Sequence, residues 1–320
     1  MKTLTINYLS HERLDSHKYW NITSHFINKI KFKDRIKVNL LLSHDNNFEN
    51  YLDPNIEVEK FICNSYMEKI IIASKSKTNF SMKLDEDVFF SNFVFDKFIE
   101  LSLNPNANGI YWPIISINTA MTDLFIEKFI KEPVIVKNIH KSFLKVKFPR
   151  NLWKQKNAYL KLNFLTLFAK EWNSQKFNIQ VNKTNSVYKG IHPIRLSYKS
   201  EILLNQYVIA NLSRVFDDNN FKLVEFKDIY MTSNIYMMKT EHFRKYLKYE
   251  PYDIFDEVQL NDYIVNERIQ NFYIDNAYAI HTMFSTVKGH NKLLNNNINR
   301  REAELEELYL VNKVNEYLNI

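Results

Sequence analysis

Residues 79–92, NFSMKLDEDVFFSN, set three consecutive carboxylates, Asp85, Glu86 and Asp87, between two apolar runs. The run before them, 80–84, has the composition of a short buried strand, and Val88-Phe89-Phe90 follows at once. Adjacent carboxylates repel one another, and apolar flanks make their desolvation costly unless a cation lies near. A divalent metal is the usual remedy, because hard oxygen ligands suit Mg²⁺ or Mn²⁺ and leave coordination positions for a diphosphate. Carboxylates at the carboxyl end of a strand also stand where open α/β sheets place their ligands. The same triplet suits a solvated turn, so its neighbours decide how far the metal reading carries.

Other chemistries are narrowed by composition. The chain has three glycines, Gly109, Gly190 and Gly289, so no Gly-rich phosphate loop of the P-loop or dinucleotide type can be built. A bound nucleotide would need metal and side chains to hold its phosphates. Cys63 is the one cysteine, which leaves no disulfide framework and no Cys-based zinc site; within FICNS it reads as a small core residue. The net charge of +7 is uneven: between Glu132 and Glu171 there is no acid, while nine bases occur, among them Lys145, Lys147 and Arg150. Phe143, Phe148, Trp153 and Tyr159 are interleaved with these bases. Such a block fits a polyanion, and it fits a solvated basic surface on a basic protein as well.

The elements that must position the acids follow from periodicity. Buried strands are expected at 4–9, 36–42, 58–63, 80–84 and 110–117, alternating with helices at 16–30, 66–74, 93–103 and from 118 to about 131. That alternation over 320 residues indicates an α/β chain with a doubly wound, mostly parallel sheet. Farther on, helices are expected at 152–172, 200–215, 256–267, 284–294 and 300–318, and strands at 221–226, 229–238 and 272–280. The acids of the last helix, Glu302, Glu304, Glu306 and Glu307, read as its solvated face. The organisation expected is an α/β part over 1–130, a basic and mostly helical region over 131–220, and a further part ending in the C-terminal helix over 221–320.

A strand–helix series leading to a strand that ends in Asp-x-Asp, here Lys83-Leu84-Asp85-Glu86-Asp87-Val88-Phe89, resembles the GT-A glycosyltransferases. The likeness extends over His11-Glu12-Arg13-Leu14 after the first strand, Asp45 after the second, the acidic element Phe255-Asp256-Glu257-Val258, and Ala279-Ile280-His281 near the end. It implies a GT-A-like sheet with a helical acceptor side, and a nucleoside diphosphate sugar, with UDP-sugars favoured, as donor. It implies Mn²⁺ or Mg²⁺ on Asp85, Asp87 and His281, with Tyr8, Arg13, Asp45, Lys83 and Asp85 on the donor nucleotide. Asp256 or Glu257 would be the base that takes the acceptor's proton. Bland readings stand beside these: Tyr8 as a core tyrosine, Asp256 as a helix cap, His281 as a hydrogen-bonded core histidine, Lys83 as structural.

Trp112, Lys145, Lys147 and Arg150 are the residues expected on the acceptor side. The basic, aromatic interval favours an anionic acceptor, and a hydroxymethylated base in DNA, as modified by some viral glycosyltransferases, is one. Surface glycans, lipid-linked saccharides and a non-catalytic nucleic-acid binder are the alternatives. The first residues, MKTLTINYLSHERLD, lack the apolar core of a signal peptide, and no run reaches the length of a membrane span, so a cytoplasmic protein is expected, in the host cytoplasm if viral.

Overall fold

Every residue of β1 (Leu4–Leu9) and β4 (Phe80–Asp85) is buried, as near-continuous apolar strands in the middle of a parallel sheet require. The structure, a computed structural model, describes residues 1–10, 15–117, 121–144, 198–226, 234–248, 256–282 and 300–320. With β2 (Ile36–Leu42), β3 (Glu57–Ile62), β5 (Val88–Phe89), β6 (Ile110–Ile115), β7 (Lys222–Phe226), β8 (Ile235–Lys239) and β9 (Asn271–His281), these strands make one sheet in the order β3-β2-β1-β4-β8-β6-β9-β5, and β7 also pairs with β9. β1 runs parallel to both β2 and β4, and β6 parallel to β9, while β8 lies antiparallel between β4 and β6. The fold is therefore α/β with a mostly parallel sheet, as the alternation of elements implied.

The chain leaves β1 toward β2 and β3, then returns to lay β4 on the other side of β1. The carboxyl ends of β1 and β4 thus flank a switch in strand order, the place where open α/β sheets form a crevice. One face of the sheet carries Leu4, Ile6 and Tyr8 from β1 with Phe80, Met82 and Leu84 from β4, all buried. It is covered by α1 (Ser16–Asn28), whose inward stripe includes Tyr19, Trp20, Phe26 and Ile27, and by residues of α10 (Arg300–Leu318) packed on α1. The opposite face is polar. Asn39 donates to Asn7 at 2.9 Å, and Asn7 donates to Ser81 at 2.8 Å and to the Met82 carbonyl at 3.0 Å. Helix α2 (Tyr66–Ser74) covers that seam, its Ser65 cap accepting from the Glu68 N–H.

Several elements depart from expectation for local reasons. The helix expected over 200–215 is two, α6 (Tyr198–Ile209) and α7 (Leu212–Phe216). Between them the Asn211 side chain donates to the Tyr207 carbonyl at 2.8 Å, competing with helical bonding. Helices α3 (Asn92–Leu103) and α4 (Met121–Phe129) lie close to expectation, whereas α5 (Pro133–Leu144) and α8 (Thr240–Tyr246) were not foreseen. The register of β6 on β9 jumps from Trp112↔Tyr273 to Ile114↔Tyr278, because Pro113 brings no N–H to the ladder and Asn276 turns through φ 65°. On α10 the reading of four solvated acids needs correction: Glu307 is buried, in line with Ala303, Leu310, Val311 and Val314. β8 and β9 complete the sheet begun by β1 and β4, so strands from the first and last stretches of the chain share one core. The expected helices at 152–172 and 284–294 lie outside the described residues.

His242 of α8 ties three elements together. Its Nδ1 lies 2.6 Å from the Tyr263 hydroxyl of α9 (Asp256–Asn266), and its Nε2 lies 3.2 Å from Asn108 Oδ1 in the loop before β6. Burial holds its pKa below the ordinary 6.5, with Lys245 adding to the effect. Below 6.5 the unfolded chain then binds a proton that the folded chain resists, so stability falls as the pH drops through that region. The loss in melting temperature between pH 7.5 and 5.5 should be smaller in His242→Gln than in the parent protein.

Candidate active site

The three acids leave β4 in three different directions, and each meets a different partner. Asp85 continues the pleat of Lys83, two residues earlier on the same face, and Lys83 Nζ donates to Asp85 Oδ1 at 2.7 Å. The Lys83 side chain is fully buried, with its ammonium 5.4 Å from the centre of the Tyr66 ring at the start of α2. Asn234 Nδ2 approaches Asp85 Oδ2 at 3.4 Å, and the Asp85 N–H donates to the Asn234 carbonyl. Glu86, on the other face, accepts from Ser10 Oγ at 2.9 Å, and its N–H donates to the Leu9 carbonyl.

Asp87 is placed by β5. This short strand pairs antiparallel with the end of β9, setting Val88 opposite His281, and the Thr282 N–H donates to the Asp87 carbonyl at 2.9 Å. His281 Nε2 consequently lies 3.5 Å from Asp87 Oδ2, both side chains being about 2% exposed. The ring is held by its other nitrogen: Nδ1 bonds the Ile117 carbonyl, and the His281 N–H donates to Ser116 Oγ at 3.1 Å. A carbonyl only accepts, so Nδ1 carries the proton, and in the neutral ring Nε2 turns a lone pair toward a carboxylate. Nε2 makes no hydrogen bond among the described residues. A proton or a cation between Nε2 and Asp87 resolves that clash, and a histidine held by a backbone carbonyl is how metal-ligating imidazoles are commonly oriented. The pair therefore fits a divalent cation. Among the described residues, no group of three or more His, Cys, Asp or Glu is placed to hold a metal ion.

The remaining expected residues are dispersed. Tyr8 sits beside Leu84 with its ring enclosed, 4.6 Å from the centre of Trp20 and 6.4 Å from that of Phe48. It offers no ring face to a base in this conformation. Its hydroxyl makes no hydrogen bond among the described residues, and burial together with the charges of Glu86 and Asp87 pushes its pKa well above the usual tyrosine range. Asp45 is exposed beyond β2, 2.8 Å from Lys60 Nζ, which holds its carboxyl below the usual range. Trp112 corrects the acceptor reading: it is fully buried in the middle of β6, 6.3 Å from Tyr236, not at the edge of the sheet. Asp256 and Glu257 open α9, though their side chains lie outside the described residues. Arg13, Lys145, Lys147 and Arg150 also lie outside them.

Sequence reasoning missed Lys69. This α2 lysine is buried, donates to the Ser10 carbonyl and to Ser43 Oγ, the latter at 2.7 Å, and so ties together the ends of β1 and β2. The signal was present: Lys69 shares the inward stripe of α2 with Ile70 and Ala73, where a lysine needs a buried acceptor. Ser10 and Glu86 were missed with it, because their pairing depends on the register of β1 and β4.

No protein-family model matches this sequence, and no curated protein is significantly similar to it. Among solved structures, the crystal structure of S. aureus TarS 1-349 is similar over 99% of this chain and 72% of that one, at 11% identity and a TM-score of 0.40. A score that low carries no weight for function, and the site's own residues must supply the case. No helix of the described residues is long and apolar enough to cross a membrane.

Replacing Lys69 by Met should leave the Ser10 carbonyl and Ser43 hydroxyl short of a buried donor, at a cost of about 1–3 kcal/mol. Urea denaturation of Lys69→Met against the parent protein measures it, as a lowered midpoint with unchanged slope.

Proposed function

We propose that this chain is a metal-dependent glycosyltransferase that moves a sugar from a nucleoside diphosphate sugar to a hydroxyl acceptor. The observation that supports it most is the buried Asp87–His281 pair, 3.5 Å apart at the carboxyl edge of the sheet, beside the switch in strand order. Asp87 and His281 would hold Mn²⁺ or Mg²⁺, and the ion, when bound, would offset the charge gathering on the departing diphosphate. A site with two protein ligands leaves room for diphosphate oxygens, the usual way a small divalent ion is shared between protein and nucleotide. With three glycines in the chain, a Gly-rich loop for phosphates is not an option.

The chain's other groups supply orientation and exclusion of water. Ser10 bonds Glu86, Lys83 bonds Asp85, and the Ile117 carbonyl fixes the His281 imidazole beside Asp87, so each of these groups is held by a contact of its own. Burial of Asp87 and His281 would strengthen their attraction for a cation between them. UDP-sugars are the donors to try first. Asp256 or Glu257, in the first turn of α9, would take the proton from the acceptor hydroxyl.

An anionic acceptor is favoured by the acid-free interval between Glu132 and Glu171 with its nine bases. Hydroxymethylated DNA is the first such acceptor to test, ahead of surface glycans and lipid-linked saccharides.

Two measurements test this reading. Melting temperature should rise when a nucleotide sugar and Mn²⁺ are added together and much less with either alone, since a ligand that binds the native state stabilises it. Sugar release or transfer should require the metal and fall at least about a thousandfold in Asp87→Asn, the loss of about 4 kcal/mol of transition-state stabilisation. A protein that ignores both metal and nucleotide sugars, yet binds DNA, would favour the non-catalytic alternative.

A further inference from the structure

We infer that the amino edge of the sheet, the end opposite the acidic crevice, is a docking surface for an anionic lipid bilayer. This inference is independent of the chemistry at the crevice.

Strands β1, β2, β4 and β6 run in one direction, so their amino ends share one edge. The segments that form it, residues 1–3, 29–35, 74–79 and 103–109, hold seven lysines and arginines and one acid. Hydrogen bonds join these segments into one surface. The Thr3 N–H donates to the Arg35 carbonyl at 2.8 Å, and the Thr3 hydroxyl lies 2.9 Å from that of Ser102. The Phe80 N–H donates to the Thr3 carbonyl at 3.0 Å, and Arg244 donates to the carbonyls of Ser74 and Ser76. The lysines therefore project from a fixed frame.

Two observations give the edge its character. The first is unbalanced charge. Its one acid, Asp34, is paired with Arg35 at 3.0 Å, and the bordering acids Asp53 and Glu100 are paired with Lys33 and Lys97. Lys29, Lys75 and Lys77 are exposed and make no ion pair among the described residues. The second is apolar surface among these charges: Phe32 is 37% exposed and Leu103 44%. Phe32 stands between Lys31 and Lys33, and Leu103 follows Ser102, which meets Thr3 next to Lys2. Exposed apolar side chains ringed by lysines match the boundary of a bilayer. The ammonium groups meet the headgroup charge there, and the apolar tips enter the acyl boundary.

A nucleic acid fits this edge less well. Phosphates favour arginine, whose fork grips two oxygens, whereas six of these seven bases are lysines and the arginine is turned to Asp34. A phosphate backbone also gives Leu103 nothing to bind. A chain seated on lipid by this edge holds its crevice roughly 20 Å away, the length of the six-residue β1, and open to an acceptor in solution.

Flotation of the full-length protein with vesicles tests this without metal or nucleotide sugar, so its outcome is separate from that of the transferase reading. Vesicles of phosphatidylcholine with about one third phosphatidylserine should carry the protein up, and vesicles of phosphatidylcholine alone should not. Binding should weaken as salt rises. Lys75→Glu/Lys77→Glu should loosen the anionic vesicles at least about tenfold, since each lysine near such a surface contributes about a factor of five. Leu103→Gln, which keeps the charge, should loosen them at least about threefold and leave the affinity for duplex DNA unchanged. Lys29→Glu serves where the double variant does not fold. Lys145→Glu/Lys147→Glu, in the basic interval, should keep most of the vesicle binding. No flotation of the parent protein with anionic vesicles overturns the docking surface. So does flotation that is lost in Lys145→Glu/Lys147→Glu yet kept in a folded Lys75→Glu/Lys77→Glu. Full vesicle binding in Leu103→Gln, together with loss of DNA binding in Lys75→Glu/Lys77→Glu, overturns it in favour of a nucleic-acid surface.

Discussion

Three neighbouring carboxylates buried at the end of one strand are the constraint that the described structure is built to satisfy. Asp85, Glu86 and Asp87 are each 6% exposed or less. Carboxylates in such a setting stay charged only where partners replace the water they lose. Strand geometry separates them: successive residues point to opposite faces, and the turn into β5 sends the third acid sideways. Each partner then comes from a different part of the chain. Lys83 is local, Ser10 comes from β1, and His281 comes from β9, nearly two hundred residues later. The sheet order is what brings these together, since β4 lies beside β1 while β5 pairs with β9.

The two faces of the sheet meet this constraint differently. On the α1 face, Tyr8, Trp20 and Phe48 pack as a cluster, with the Trp20 indole N–H donating to the Phe48 carbonyl at 2.8 Å, so one edge of the crevice is rigid and apolar. On the α2 face a row of buried polar side chains, Asn39, Asn7, Ser81 and Lys83, runs up the strands to Asp85. A row of this kind is tolerable only because nearly every member bonds the next. Arg244 of α8 extends it by donating to the carbonyls of Ser74 and Ser76 at 2.9 and 2.8 Å, which fixes the end of α2 over the seam. Breaking a link leaves a buried polar group behind. For the Lys83–Asp85 pair the cost is of the order of 3–5 kcal/mol when one partner alone is removed.

Much of this was legible in the residues. β1 and β2 have the bounds that their apolar runs imply, and α2 and the last helix begin and end at the residues expected for them. The triplet, His281 and their place at the carboxyl ends of strands were also readable, because strand ends and Asp-x-Asp spacing are local signals. What failed depends on contacts far apart in sequence. Trp112 was placed at the cleft by topology alone, whereas β8 inserts antiparallel beside β6 and buries it. Tyr8 could not be told from a stacking residue until Trp20 and Phe48 were seen to enclose it. Glu307 looked solvated because its neighbours are charged, yet the inward stripe of α10 passes through it. β5 has two residues, too few to carry a period, and its existence is decided by the end of β9.

That last point bears on how such a site can be assembled at all. A phosphate loop fixes an anion with consecutive backbone amides, so its geometry is encoded in one glycine-rich stretch. Here the chain, with three glycines, holds no such stretch, and the buried acids are met by side chains delivered by separate elements. The accuracy of Asp87 relative to His281 then depends on β5, held to β9 by a pair of residues and by the Thr282 N–H on the Asp87 carbonyl. A short strand is weak by itself, but both of its residues are buried, as are Phe90 beside it and Phe95 packed 4.4 Å from Phe90. The apolar run after the acids, which at first sight only raises the cost of burying them, is thus what anchors the turn that separates them. The same burial that makes the carboxylates expensive makes their positions definite, and definite positions are what a cation between Asp87 and His281 would require.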